Sequence, residues 1–319
     1  MILSKTPFRI SFVGGGTDNL KKQNFSGQVV STTIDKFIHV GINKKFDNKI
    51  RFSYSKTENV NSSEHLQHEM LRETFKFFGI KNGYEIVSVG DIPSSGSGLG
   101  SSSSFLVGII NCINRIKNLN LSRKRIAEIA CYIEINILKK PIGMQDQYSV
   151  TFGGLNHIIF EKKKVIVKKI NISSKKLNTF EKNLFMYYSN ITRKSKKNLY
   201  QVKKNNNLFI LKKISDLVKD FIYELKFGNL DNLGKILHQG WMLKKKLSSG
   251  TSNNKLNQMY DLAIDSGASG GKLLGAGGGG FFLFYVPEVN HDKFKSNFLK
   301  KNLNINFNLE NTGSTILKF

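Results

Sequence analysis

The stretch Asp91-Ile-Pro-Ser-Ser-Gly-Ser-Gly-Leu-Gly-Ser-Ser-Ser-Ser-Phe105 constrains this chain more than any other. It follows Tyr84 to Gly90, an apolar run with the residue types of a strand, and precedes Phe105 to Ile116, where apolar side chains recur at helical spacing. A Gly/Ser loop therefore opens a helix. The first turn of a helix has N–H groups without intrahelical partners and carries the positive end of the helix dipole, so it suits an anion. Gly96, Gly98 and Gly100 have no side chains to hold a phosphate away from the backbone. Ser101 to Ser104 add hydroxyls for phosphate oxygens or a magnesium ion. The loop lacks the Gly-Lys-Ser/Thr ending of a Walker A motif and is not a dinucleotide fingerprint. A flexible linker of this composition seldom sits tightly between a strand and an apolar helix.

Three other segments bear on the same question. Thr6 to Val13 alternates in the manner of a strand and ends in Gly14-Gly-Gly-Thr-Asp18; alone, Thr17-Asp18 reads as a turn or cap pair. Leu121 to Glu134 reads as a helix with Ser122 as its N-cap and Ile126, Ile129, Ala130, Ile133 and Ile137 as its buried stripe. Glu134 falls toward the end of that stripe, where solvent exposure is the ordinary expectation. Twelve residues later comes Asp146, inside Gly143-Met-Gln-Asp-Gln-Tyr148, and Phe152-Gly-Gly154 follows. Finally, Gly267 to Phe281 holds too many glycines for a helix or a stable strand and reads as a loop that a ligand or another chain segment approaches closely.

Pro93 through Ser104 resembles the nucleotide loop of the GHMP kinases, a family that includes galactokinase, homoserine kinase and mevalonate kinase, with one extra residue between Pro93 and Gly98. The Arg9 to Asp18 pattern resembles the first motif of galactokinase, with Gly15-Gly16 in place of the usual Glu-His. The Glu134 to Asp146 spacing and the Gly-rich segment before Phe281 are similar to the family as well. The resemblance implies an α+β fold: a ribosomal S5-like N-terminal domain over residues 1–174 and a ferredoxin-like C-terminal domain over 175–319. It implies ATP and Mg2+ as cofactors. Pro93, Gly96, Ser97, Gly98, Leu99, Gly100, Ser101, Ser102, Ser103 and Ser104 would bind nucleotide, and Ser102 with Glu134 would hold the metal. Asp146 would face the attacking hydroxyl with Arg9 beside it, as a base or as an orienting group. Gly15, Gly16, Thr17, Asp18, Arg193, Lys272 and Gly277 would meet the acceptor. Within the family, the triple glycine before Thr-Asp and the Gly-rich segment look most like the branch that phosphorylates heptose phosphates at the anomeric hydroxyl. Fucose- and galactose-type sugar 1-kinases remain the alternatives.

The net charge of +26 fits either a nucleic-acid binder or a solvated lysine-rich surface. Lysine greatly outnumbers arginine, whereas base readers use arginine forks, so the surface reading is preferred. The expected partners are a sugar phosphate and ATP, with no nucleic acid and no membrane; a homodimer is left open. The N-terminus lacks a signal-peptide pattern, and Cys112 and Cys131 fall on apolar helix faces, which suits a cytoplasmic protein with reduced thiols. His39, His65 and His68 fit no metal pattern, and the latter two are expected at the surface. Trp241 reads either as core or as a neighbour of a sugar pocket.

Overall fold

In a computed structural model, residues 1–19, 25–92, 96–191, 207–299 and 304–317 are described. Pro93 and Arg193, both assigned to ligand contact above, lie outside them.

The first half of the chain builds a sheet around two long antiparallel strands, β1 (Ile2–Val13) and β2 (Gly27–Lys44). The sequence reads as two strands across Gly27 to Ile42, but a single strand runs through. The register slips opposite Pro7/Phe8, so that Asp35 and Lys36 bulge out while pairing resumes on either side. Beyond β2 come β3 (Ile50–Ser53), β4 (Thr57–Val60) and β5 (Tyr84–Gly90). A helix expected over 64–78 is shorter, α1 (Glu69–Phe77), because His68 caps it: its Nδ1 accepts from Leu71 N at 3.2 Å. His68 is not a surface residue; its ring packs edge-on against Phe52, Tyr54 and Phe105.

Helix α2 (Ser101–Ile116) lies across β1 and β2 and is buried along most of its length. Helix α3 (Arg123–Cys131) runs directly into a π-helical turn at Tyr132–Ile137. Helix α4 (Gln145–Phe152) and the hairpin β6 (Asn156–Phe160) and β7 (Val165–Lys169) complete this half.

The second sheet is formed by β8 (Leu184–Tyr188), β9 (Gly270–Leu273), β10 (Phe281–Tyr285) and β11 (Asn304–Ile305) in the spatial order β11-β8-β10-β9. With helices between its first and second and its third and fourth strands, this is the ferredoxin-like βαββαβ arrangement. Preceding it is α5 (Ser174–Lys182); the helices between β8 and β9 are α6 (Asn207–Lys226), α7 (Asp231–Leu247) and α8 (Asn254–Asp265), and α9 (His291–Asn297) follows β10. Trp241 is fully buried here beside Tyr260 and Phe282, so it is a core residue.

The expected division at residues 174/175 describes the two sheets but not the end of the chain. Strands β12 (Leu309–Glu310) and β13 (Thr315–Leu317) return to the first sheet and pair with β2 and β1. Phe12 of β1 stacks against Phe221 of α6 and packs on Phe180 of α5, so apolar contact joins the halves behind the cleft. Among the described residues no helix is long and apolar enough to cross a membrane. Both cysteines are free and buried.

Candidate active site

The loop before α2 behaves as its composition dictates. Gly100, in the left-handed region at φ 81°, is the N-cap of α2, and no side chain caps the helix. The first-turn N–H groups therefore face a cleft of about 390 Å³ between the two halves. Gly96, Ser97, Gly98, Gly100, Ser101 and Ser102 line it. Leu99 and Ser104 turn inward instead: Leu99 is fully buried and Ser104 Oγ donates to Pro7 O at 3.0 Å.

The Gly-rich segment after α8 packs onto this loop. Gly98 (φ 76°) and Gly275 (φ 70°) touch backbone to backbone, and a Cβ on Gly275 would stand 2.6 Å from Gly98 Cα. Phe281 N donates to Ser97 O at 3.2 Å, and Lys244 Nζ donates to Gly275 O. Replacing Gly275 with Ala is therefore expected to cost about 1–3 kcal/mol of stability from backbone strain, before counting the collision with Gly98. Nucleotide affinity is expected to fall with it. Thermal melts and nucleotide titration check this; an unchanged melt together with unchanged affinity would show that the contact does not shape the loop.

Glu134 is 0% exposed. It lies in the π-helical turn, four residues after Ala130 and seven after Ala127, both buried, so its side chain follows the inward face of the helix. There it accepts from Ser102 Oγ, Ser103 Oγ and Gln147 Nε2, each at 2.6 Å, and from Lys140 Nζ at 3.0 Å. Lys140 Nζ also donates to Ser102 Oγ at 2.8 Å, so a cation already bridges the hydroxyl and the carboxylate. A carboxylate and a serine hydroxyl are hard oxygen donors of the kind Mg2+ takes while keeping most of its water. The residues thus fit the ion, and the lysine ammonium marks where positive charge is stabilised.

Asp146 stands in the first turn of α4, and Arg9 of β1 grips it through two bonds: Nε to Oδ1 at 2.8 Å and Nη2 to Oδ2 at 2.7 Å. The third bond of the guanidinium goes from Nη1 to Gly98 O at 2.6 Å. Arg9 is 3% exposed, so this fork is held between the nucleotide loop and the carboxylate.

Asp18 is also buried at the cleft wall, where Oδ2 accepts from Gln145 N at 3.0 Å and Oδ1 from Gly16 N at 3.2 Å. Gly143 packs so tightly against this carboxylate that a Cβ there would land on it. Burial pushes the Asp18 carboxyl above its ordinary range; the N–H of Gln145 opposes that, and the neighbouring Asp146 charge adds to it. Since the folded value is raised, the contribution of Asp18 to stability is fully present below the unfolded carboxyl pKa of about 3.9 and is lost as pH rises through the folded pKa. Acceptor binding through an ionised Asp18 runs the other way. The acceptor KM is expected to rise as pH falls through that raised value, and Asp18→Asn is expected to flatten this rise. Measuring acceptor KM against pH for both proteins checks it.

Of the remaining assigned residues, Gly15 and Gly16 line the cleft. Thr17 does not: its Oγ1 donates to Gly14 O at 2.8 Å and accepts from Gln28 N at 3.0 Å, which latches the loop onto β2. Lys272 sits in β9 and not on the glycine loop, yet it reaches the cleft wall, where Nζ donates to Ser11 O and Phe12 O, each at 2.8 Å. Burial pushes its ammonium well below the usual lysine range, and Lys244 and Arg9 push the same way. Gly277 is turned behind the wall against the Thr251 backbone, while Gly275 and Ala276 face the cleft. Lys140 and Gln147 escape a reading of the sequence because nothing in their spacing marks them as partners of Glu134.

Against known proteins, residues 65–154 match the model of the GHMP kinases N terminal domain, and residues 218–305 match that of the GHMP kinases C terminal region. The chain is 35% identical to the D-glycero-alpha-D-manno-heptose 7-phosphate kinase of Campylobacter jejuni, over 92% of each chain. It is 26% identical to the galactokinase of Pyrococcus furiosus over 92% of this chain and 91% of that one. Its fold superimposes on the crystal structure of a D-glycero-D-manno-heptose 1-phosphate kinase from Bacteroides thetaiotaomicron with a TM-score of 0.82, covering 100% and 99% of the two chains at 22% identity. The loop at the α2 amino end, the carboxylate seated on its serines, the Arg9–Asp146 fork and these matches lead to one assignment: the chain belongs to the GHMP kinase family.

Proposed function

We propose that this protein is an ATP-dependent sugar kinase that phosphorylates the anomeric hydroxyl of D-glycero-D-manno-heptose 7-phosphate to give the 1,7-bisphosphate. The observation that carries the reading is the Arg9 fork, which ties the Gly/Ser loop at Gly98 to the carboxylate of Asp146 within one cleft. The 35% identity to a heptose 7-phosphate kinase over nearly the whole chain supports the choice of sugar.

The chain's own groups perform most of the work by position and charge, as expected for phosphoryl transfer. The uncapped first turn of α2 and the loop amides receive the triphosphate. Ser102 and Glu134 would hold Mg2+, which when bound offsets the charge on the phosphates. Asp18 and the adjacent loop orient the acceptor. Asp146 takes the proton of the attacking hydroxyl as the new O–P bond forms and the bond from the γ-phosphorus to the β–γ bridging oxygen breaks, with ADP leaving; the Arg9 guanidinium favours the negative charge that grows on the attacking oxygen.

Purified protein assayed for ADP release with ATP, Mg2+ and a panel of sugars and sugar phosphates tests the reading. Turnover is expected to be highest with heptose 7-phosphate. Equal turnover of unphosphorylated sugars would contradict the choice of substrate while leaving the kinase assignment standing.

A further inference from the structure

We infer that Ser11 and Gln145 read two neighbouring hydroxyls of the acceptor. The inference rests on the sugar-kinase reading above and adds the residues that enforce it.

The starting observation is a pair of buried polar atoms with no partner, Ser11 Oγ and Gln145 Oε1. Leaving such an atom unpaired costs about 1–3 kcal/mol, and alanine or methionine would fill the same space without that cost. The backbone groups beside them are engaged. Ser11 O accepts from Lys272 Nζ, Gln145 N donates to Asp18 Oδ2, and Gln145 O accepts from Ser149 Oγ at 2.7 Å. Only the two side-chain ends are left over.

Both residues line the cleft, and their side-chain ends converge on one point of its wall. A Cβ built on Gly15 would stand 3.4 Å from Ser11 Oγ, 3.9 Å from Gln145 Nε2 and 4.0 Å from Gln145 Oε1. The space above Gly15 is therefore bracketed by a hydroxyl on one side and a carboxamide on the other. A hydroxyl both donates and accepts, and a carboxamide offers one of each. Two adjacent substrate hydroxyls can satisfy both ends at once. The Asp18 carboxylate, 3% exposed and fixed by Gln145 N, lines the same cleft, as do Arg9 and Lys272.

The test compares wild type, Ser11→Ala and Gln145→Met on heptose 7-phosphate and on its single-position deoxy analogues. Wild type is expected to lose on the order of 10²-fold or more in kcat/KM on the analogue that lacks a contacted hydroxyl. Each variant is expected to lose about 10- to 100-fold on the full substrate, chiefly in acceptor KM, with ATP KM unchanged. On the one analogue lacking its partner hydroxyl, that variant is expected to lose nothing further. Equal losses on every acceptor would show a structural effect and overturn the inference, as would no loss at all. Should either variant fold poorly, Gly15→Ala tests the same space, because its backbone is ordinary and its methyl meets only van der Waals contacts. It is expected to raise acceptor KM without changing nucleotide affinity; an unchanged acceptor KM would overturn the inference. Failure of the underlying reading looks different: wild type would then phosphorylate a hydroxy acid and no sugar, and the inference would fall with it.

Discussion

Asp146→Asn is expected to lower kcat by about 10³-fold while leaving ATP affinity nearly unchanged. The carboxylate does two things that an amide cannot. It accepts from Arg9 through both oxygens, and in the proposed mechanism it offers the acceptor hydroxyl a negatively charged partner. Asparagine keeps the shape but turns an NH2 toward the guanidinium, so one of the two bonds is replaced by a donor–donor contact. The fork then loses one prong, and Arg9 is held by the remaining amide oxygen and by Gly98 O. Because the loop itself is unaltered, the loss should fall on turnover and acceptor KM. Steady-state kinetics with nucleotide titration separate the terms. A variant that keeps wild-type kcat would remove Asp146 from the chemistry.

The second large effect is expected at Glu134. Glu134→Gln should reduce kcat/KM by on the order of 10²–10³-fold and weaken Mg2+-dependent nucleotide binding, because a fully buried anion that collects positive charge is made neutral. Four donors now meet on this carboxylate: Ser102, Ser103, Gln147 and Lys140. Glutamine supplies one oxygen and an NH2 to the same four, so at least one buried donor goes unpaired, at a cost of about 1–3 kcal/mol. A lower melting temperature should therefore accompany the loss of activity. Measuring nucleotide affinity with and without Mg2+ isolates the metal contribution: the variant should show little difference between the two, where wild type shows a large one.

Much of the site is legible in the residues. The strand–loop–helix pattern around Gly98 places the anion seat, and the turn around Asp146 places the acid that Arg9 meets. Local pattern suffices there because each feature is built by a few adjacent residues. Glu134 is harder. It falls on the buried side of its helix, but a glutamate is expected to be solvated unless donors are there to pair it. Those donors come from α2, α4 and Lys140, and their convergence leaves no mark in apolar periodicity. Lys272 shows the opposite error: a lysine among glycines reads as part of a loop, yet Gly270–Leu273 pairs with β10 as a strand, and its depth is set by packing from both sheets. Thr17 and Gly277 were assigned to the acceptor by position in a motif, but their neighbours sit at the cleft and they brace it from behind. The return of β12 and β13 to the first sheet is likewise invisible locally, since strand pairing across some 300 residues depends on global topology and not on the strand's own sequence. Buried polar atoms without partners, such as Ser11 Oγ and Gln145 Oε1, leave no sequence signal at all.

The most direct test of the whole account is a crystal structure of the protein with Mg2+ and a non-hydrolysable ATP analogue. The account predicts the β- and γ-phosphates at the amino end of α2, the metal on Ser102 and Glu134 with the Lys140 ammonium displaced from between them, and the γ-phosphate facing Asp146. Phosphates bound away from Gly96–Ser102, or a metal that touches neither Ser102 nor Glu134, would contradict it.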